Sequence, residues 1–163
     1  MVTDAAHEDA EVVELARRCA EAMWADDVAS LGLGMRLAAV APGYAQVTMT
    51  VTEQMVNGHG IVHGGFLATL ADSAFAVACN TYGEVTVAAG FDIVFVASGR
   101  LGDELTAEAV ERARFGRSGL YDVTVRATDP AGDVRLVAEF RGRSRSLGRP
   151  FPRSVTDAPE ETT

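Results

Sequence analysis

The chain has 163 residues, nearly half of them apolar, which is enough for one domain with a real core and too few for two comfortable ones. Its net charge of −9 is unevenly spread: residues 1–27 hold eight acids against two arginines, whereas residues 28–149 hold twelve acids against eleven arginines. The nearly neutral middle leaves an anionic ligand open, but no basic face is dense enough for nucleic acid, and no apolar run reaches the roughly 18–20 residues of a membrane span.

The N-terminus is acidic and lacks the basic-then-apolar layout of a secretion signal. Cys19 and Cys79 have no metal-like spacing and read as buried, reduced thiols, so the expectation is a soluble cytoplasmic protein. Residues 8–24 place Val12, Leu15, Cys19 and Met23 near one face of an amphipathic helix, within an acidic helical segment spanning 1–29. Residues 33–41 and 44–53 predict two strands joined at Pro42-Gly43, the second alternating as Val47, Met49 and Val51. VNGHGIVHGG, 56–65, follows as a loop. GFLATLADSAFAVACNTY, 65–82, is apolar almost all round and predicts a buried helix that Gly83 ends.

Three strands are then expected over about 85–98, 103–115 and 118–129, followed by a turn at Asp129-Pro130-Ala131-Gly132-Asp133 and a last strand over 134–146. Proline and polar residues mark 149–163 as a flexible tail. The sum is an α+β domain: a long antiparallel sheet wrapped around one apolar helix, with an extra N-terminal helix. A helix with so little polar surface must be enveloped by the sheet or covered by a partner.

Residues able to do chemistry concentrate between 56 and 72. His59 and His63 are four apart, as metal ligands on a helix can be. Gly58, Gly60, Gly64 and Gly65 argue against helix there, and no third ligand lies nearby in sequence, so no metal is expected. GxSxG is absent, a chain without Lys cannot carry GxxxxGK[ST], and Cys79 sits inside the apolar helix. Asp72, in LATLADSAFAVA, stands out. A carboxylate among Leu, Ala, Phe and Val is costly unless it is paired or serves a purpose. Burial would raise its pKa towards the range useful to a general base; an arginine partner or an outlet to solvent would be the plainer arrangement.

The His-Gly-Gly run opening the same helix exposes backbone N–H groups at the positive end of the helix dipole, where an oxyanion is stabilised. Gly64 and Gly65 also allow a bulky ligand to approach the backbone. Gly64 and Asp72 are eight residues apart, roughly 12 Å along one helix, too far to serve one carbonyl group. Two such helices packed antiparallel about a two-fold axis would bring Gly64 of one beside Asp72 of the other and would bury apolar surface, so the site is expected to belong to a homodimer.

VNGHGIVHGGFLATLADSAFAVACN resembles the signature of hotdog-fold acyl-CoA thioesterases, specifically the phenylacetic-acid-degradation thioesterase group. The resemblance spans residues 30–148, taking in SGRLGDELTAEA (98–109), GRSGLYDVTVRATD (116–129) and VAEFRGRSRSLG (137–148). It implies the hotdog fold and hydrolysis of an acyl-CoA, phenylacetyl-CoA or a ring-hydroxylated form, without a cofactor beyond the coenzyme A of the substrate. Asp72 would act as nucleophile or general base, the Gly64 amide would polarise the carbonyl, and His63 and Asn57 would line the site. The resemblance further implies sites shared across a dimer, with dimers paired into a homotetramer. Where some relatives carry a hydroxyl after the helix this chain has Ala88, with Thr86 the nearest candidate. Arg143 and Arg145, alternating with Arg141 along the last strand, and Arg117, near Arg112 and Arg114, are candidates for the phosphates of coenzyme A. His59 matches no role beyond shaping the loop. The alternatives are a hotdog hydratase or dehydratase and a non-catalytic acyl-CoA binding protein.

Overall fold

Alternation decides which face of the sheet becomes the core. In β2 (Tyr44–Thr50), Ala45, Val47 and Met49 are fully buried while Gln46 and Thr48 between them are only partly covered. The computed structural model describes residues 2–151, and their side chains from residue 9 onward. Its six strands, β1 (Arg36–Ala41), β2, β3 (Glu84–Phe95), β4 (Glu104–Phe115), β5 (Ser118–Thr128) and β6 (Val134–Pro150), form one sheet in the order β1-β2-β4-β5-β6-β3. Every neighbouring pair is antiparallel.

Two helices precede the sheet: α1 (Val2–Ala25) and α2 (Val28–Gly32). A third, α3 (Gly64–Cys79), lies against one face of the sheet. Leu67, Leu70, Ala71, Ala74 and Phe75 of α3 are buried, with Phe75 5.4 Å from the Tyr121 ring and 5.8 Å from that of Phe140. The sheet fits the helix closely: a Cβ at Gly142 of β6 would stand 2.9 Å from the Phe75 ring. This is the expected sheet wrapped around an apolar helix.

The boundaries differ from the expectation for local reasons. α3 stops at Cys79, three residues early, because Asn80 turns back to bond the Ala76 carbonyl and both the N–H and the carbonyl of Thr86. Residues 33–35, expected in β1, follow α2, whose N-cap Asp27 accepts the Ser30 N–H at 2.9 Å. β2 ends at Thr50, although the Val51 N–H still bonds the Asp103 carbonyl. β6 continues to Pro150, into the segment expected as tail; its end is held by Ser146 N–H to Arg117 O (2.8 Å) and Phe151 N–H to Gly83 O (2.8 Å). The rest of that tail, 152–163, lies outside the described residues.

β3 departs most from a half-buried strand. Among the described residues it pairs only with β6, and Val87, Phe91, Val94 and Phe95 are exposed along it. Among the described residues no helix is long and apolar enough to cross a membrane.

Candidate active site

Residues 56–63 form a small hairpin ahead of α3. Val56 and Val62 make an antiparallel bridge, Asn57 N–H bonds Ile61 O at 2.8 Å, and Gly60 N–H bonds Asn57 O at 2.9 Å. Gly60 turns the chain at φ 75°, a region that strains any side chain. The Asn57 carboxamide accepts the His59 N–H through Oδ1 (2.9 Å), which leaves its Nδ2 donors without a partner among the described residues. The hairpin is pinned from outside by His63 N–H to Met55 O (2.8 Å) and Val62 N–H to Gly99 O (3.0 Å). His59 is exposed at the tip.

His63 is the N-cap of α3. Its backbone is extended (φ −66°, ψ 133°) and its Nδ1 accepts the Gly65 N–H at 2.9 Å, a task that Ser, Asp or Asn oxygens more often perform. With Nδ1 accepting, the ring proton sits on Nε2. The Phe66 N–H returns to His63 O at 2.9 Å. The Gly64 N–H has no partner among the described residues, so it is the free donor at the positive end of the helix. Gly65, expected to receive a ligand alongside Gly64, has its N–H committed to the cap and offers a ligand only space.

A cavity of about 570 Å³, within the roughly 300–1,000 Å³ of small-molecule sites, opens beside this donor. Asn57, His63, Gly64 and Gly65 all line it, so four of the expected residues meet there. The opposite wall went unanticipated: Phe95, Val96, Ala97 and Ser98, where β3 leaves the sheet. The Phe95 ring lies so close to Gly64 that a Cβ at that glycine would stand 2.8 Å from Cζ. The available signal was the apolar run Ile93–Ala97, too long for an edge strand with one face in water.

Asp72 does not line this cavity. It sits two turns farther along α3, on the incompletely covered stripe it shares with Gly65, Ala68, Thr69 and Ala76. Among the described residues no arginine pairs with it. Its Oδ1 is the one buried side-chain oxygen or nitrogen without a hydrogen-bond partner among the described residues. Desolvation raises its carboxyl above the ordinary value of 3.8. Burial, with the Asp72 charge adding to it, pushes the Cys79 thiol up to about 12, far from a nucleophilic thiolate.

The remaining candidates fall elsewhere. Thr86 is tied to Asn80 through its backbone, and its hydroxyl donates to Glu84 O (3.2 Å), so it holds the start of β3 and does not reach the cavity. Arg143 donates to Asp92 Oδ2 (2.7 Å), Arg145 to Ser118 Oγ (3.3 Å) and Arg117 to Ser146 O (3.0 Å). None of the three lines the cavity of this chain, because the outward pleat of β6 directs Arg143 and Arg145 away from α3. Among the described residues no group of three or more His, Cys, Asp or Glu is placed to hold a metal ion.

The family model described as thioesterase superfamily matches residues 59–132. Over 129 residues the chain is 43% identical to the acyl-coenzyme A thioesterase PaaI of Escherichia coli (strain K12), which covers 79% of this chain and 89% of that protein. It is 31% identical over 116 residues to acyl-coenzyme A thioesterase 13 of Homo sapiens, covering 69% of this chain and 79% of the relative. The solved structure of the E. coli PaaI protein from the phenylacetic acid degradation operon matches with a TM-score of 0.80 at 40% identity, covering 85% of this chain and 98% of that one.

Proposed function

The chain belongs to the thioesterase superfamily and has its hotdog fold, and on that basis we propose that it hydrolyses acyl-CoA thioesters, phenylacetyl-CoA or a ring-hydroxylated form foremost, to the free acid and coenzyme A. The observation that carries the reading is the pairing of two unsatisfied groups on α3: an amide donor at Gly64 and a desolvated carboxylate at Asp72. Each lacks a partner of the kind that a thioester and its attacking group supply.

The thioester oxygen accepts the Gly64 N–H, and the α3 dipole adds to the polarisation as negative charge develops on that oxygen. Asp72 either attacks the carbonyl carbon itself, forming a mixed anhydride that water then opens, or takes a proton from a water that attacks. In both routes the carbon–sulfur bond breaks and coenzyme A leaves as a thiolate that acquires a proton. The free Nδ2 of Asn57 is available to hold the water or the acyl oxygen.

One chain cannot do this, since its own Gly64 and Asp72 are roughly 12 Å apart. Ala68 lies four residues from each. Two copies of α3 packed antiparallel about a two-fold axis near Ala68 place each Gly64 beside the Asp72 of the other copy. Gly65, Ala68 and Ala76 are small enough for the helices to approach closely. The unpaired edge of β3, with its exposed Val87, Phe91 and Val94, supports the same association.

The test is thiol release from phenylacetyl-CoA by the wild type and by Asp72→Asn and Asp72→Ala. The expected outcome is a loss of about two to four orders of magnitude in kcat with the association state unchanged. Full turnover in either variant overturns the role given to Asp72.

A further inference from the structure

Resting on the thioesterase reading, we propose that Phe95 sets the acyl-group selectivity of this site: its ring forms the wall against which a flat aryl group lies while the thioester oxygen accepts the Gly64 N–H.

Phe95 is the last residue of β3 and pairs through its backbone with Ala138 of β6, so the ring's base is held by the sheet. Its side chain does not enter the core. It is 52% exposed and turned onto the N-terminus of α3. The three ring atoms Cζ, Cε2 and Cε1 lie 2.8–3.2 Å from the position of a Cβ on Gly64, nearer than any other atom outside the adjoining residues and the helix backbone. Gly64 and Phe95 line the same cavity, so an acyl group bonded at the Gly64 amide lies in the space that ring bounds. The rest of the lining combines the aliphatic Ile61, Leu67 and Val96 with the polar Asn57, His63 and Ser98, and among the described residues no Asp, Glu or Arg lines the cavity. Such surroundings favour an uncharged acyl group over an acidic one, since a carboxylate would lose hydration without gaining an arginine among the lining residues.

Phe95 distinguishes among apolar groups. Alkyl chains gain only the area they bury, which the aliphatic walls supply equally well. An aryl group gains in addition the offset or edge-to-face contact of two rings. Position 64 and position 95 are coupled in this design: glycine at 64 leaves both the free amide and the space that the ring occupies.

The experiment measures kcat/KM by thiol release for phenylacetyl-CoA and hexanoyl-CoA with the wild type, Phe95→Leu and Phe95→Ala. Leucine keeps apolar bulk at the site and removes the ring face, so it decides the matter even where alanine fails to fold. The ratio of kcat/KM for phenylacetyl-CoA over that for hexanoyl-CoA is expected to fall about 2- to 10-fold in Phe95→Leu, the span that ring pairs are worth beyond buried area. An unchanged ratio, or a wild type that prefers hexanoyl-CoA, overturns the assignment of Phe95 and leaves the thioesterase reading intact. A wild type that releases thiol from neither substrate overturns the thioesterase reading itself.

Discussion

Asp72 carries a cost that its neighbours do nothing to offset. Its carboxyl is raised by desolvation, and among the described residues it has no cationic partner and one oxygen buried without a hydrogen bond. Because the folded value stands above the unfolded value near 3.8, the folded chain resists ionisation of this group. The penalty is absent below the unfolded pKa and complete above the folded one, so Asp72 lowers stability as pH rises through that window. Asp72→Asn is therefore expected to melt at a higher temperature than the wild type at pH 7, with the gain narrowing towards pH 4, even as it loses activity. Thermal melts across that pH range check it; a variant that melts lower at pH 7 removes the claim that the carboxylate is held at a cost. The Gly64 amide is the matching case of a donor without a partner among the described residues.

Among the elements, the junction of α3 and β3 governs where the site walls stand. Asn80 is buried and makes three bonds across it, to Ala76 O (2.9 Å), Thr86 O (2.8 Å) and Thr86 N–H (2.9 Å). It ends the helix and starts the strand whose far end carries Phe95. Asn80→Ala removes these bonds and leaves the Thr86 backbone groups unsatisfied, a loss expected at about 2–3 kcal/mol. Urea unfolding measures it, and a change under about 0.5 kcal/mol would show that the junction holds without the side chain. At the opposite end, Arg135 bonds Ser98 O at 3.0 Å and pairs with the buried Asp103, so the turn behind the cavity wall is braced as well.

At the scale of the molecule, β3 is the unfinished part. This 12-residue edge strand exposes Val87, Phe91, Val94 and Phe95, the surface through which the proposed dimer would close. Val94→Glu places a charge on that edge without touching the cavity lining. Light scattering is expected to show monomer, thiol release to fall with dissociation, and circular dichroism to keep the wild-type helix signal. A monomer with full activity would remove the shared site and, with it, the need for a second copy to supply Asp72.

Much of this was legible in the residues themselves. The period-two alternation of β2, the all-round apolarity of α3 and the turn at residues 129–133 follow from local chemistry, which needs no knowledge of the fold. Asn57, His63, Gly64 and Asp72 stood out because glycine density, capping position and a lone acid in an apolar helix are sequence-local features. The segment at Val28–Gly32 was also available, from Asp27 capping Ser30, and was missed. What only the tertiary structure decided depends on strands distant in sequence. Phe95 meets Gly64 across 31 residues because β3 runs the length of α3 at the sheet edge. Thr86 is withheld from the site by Asn80, and the pleat of β6 turns Arg143 and Arg145 to the outer face. A sequence specifies which residues can do chemistry; which of them face one another is settled by strand order and pleat, and neither is local.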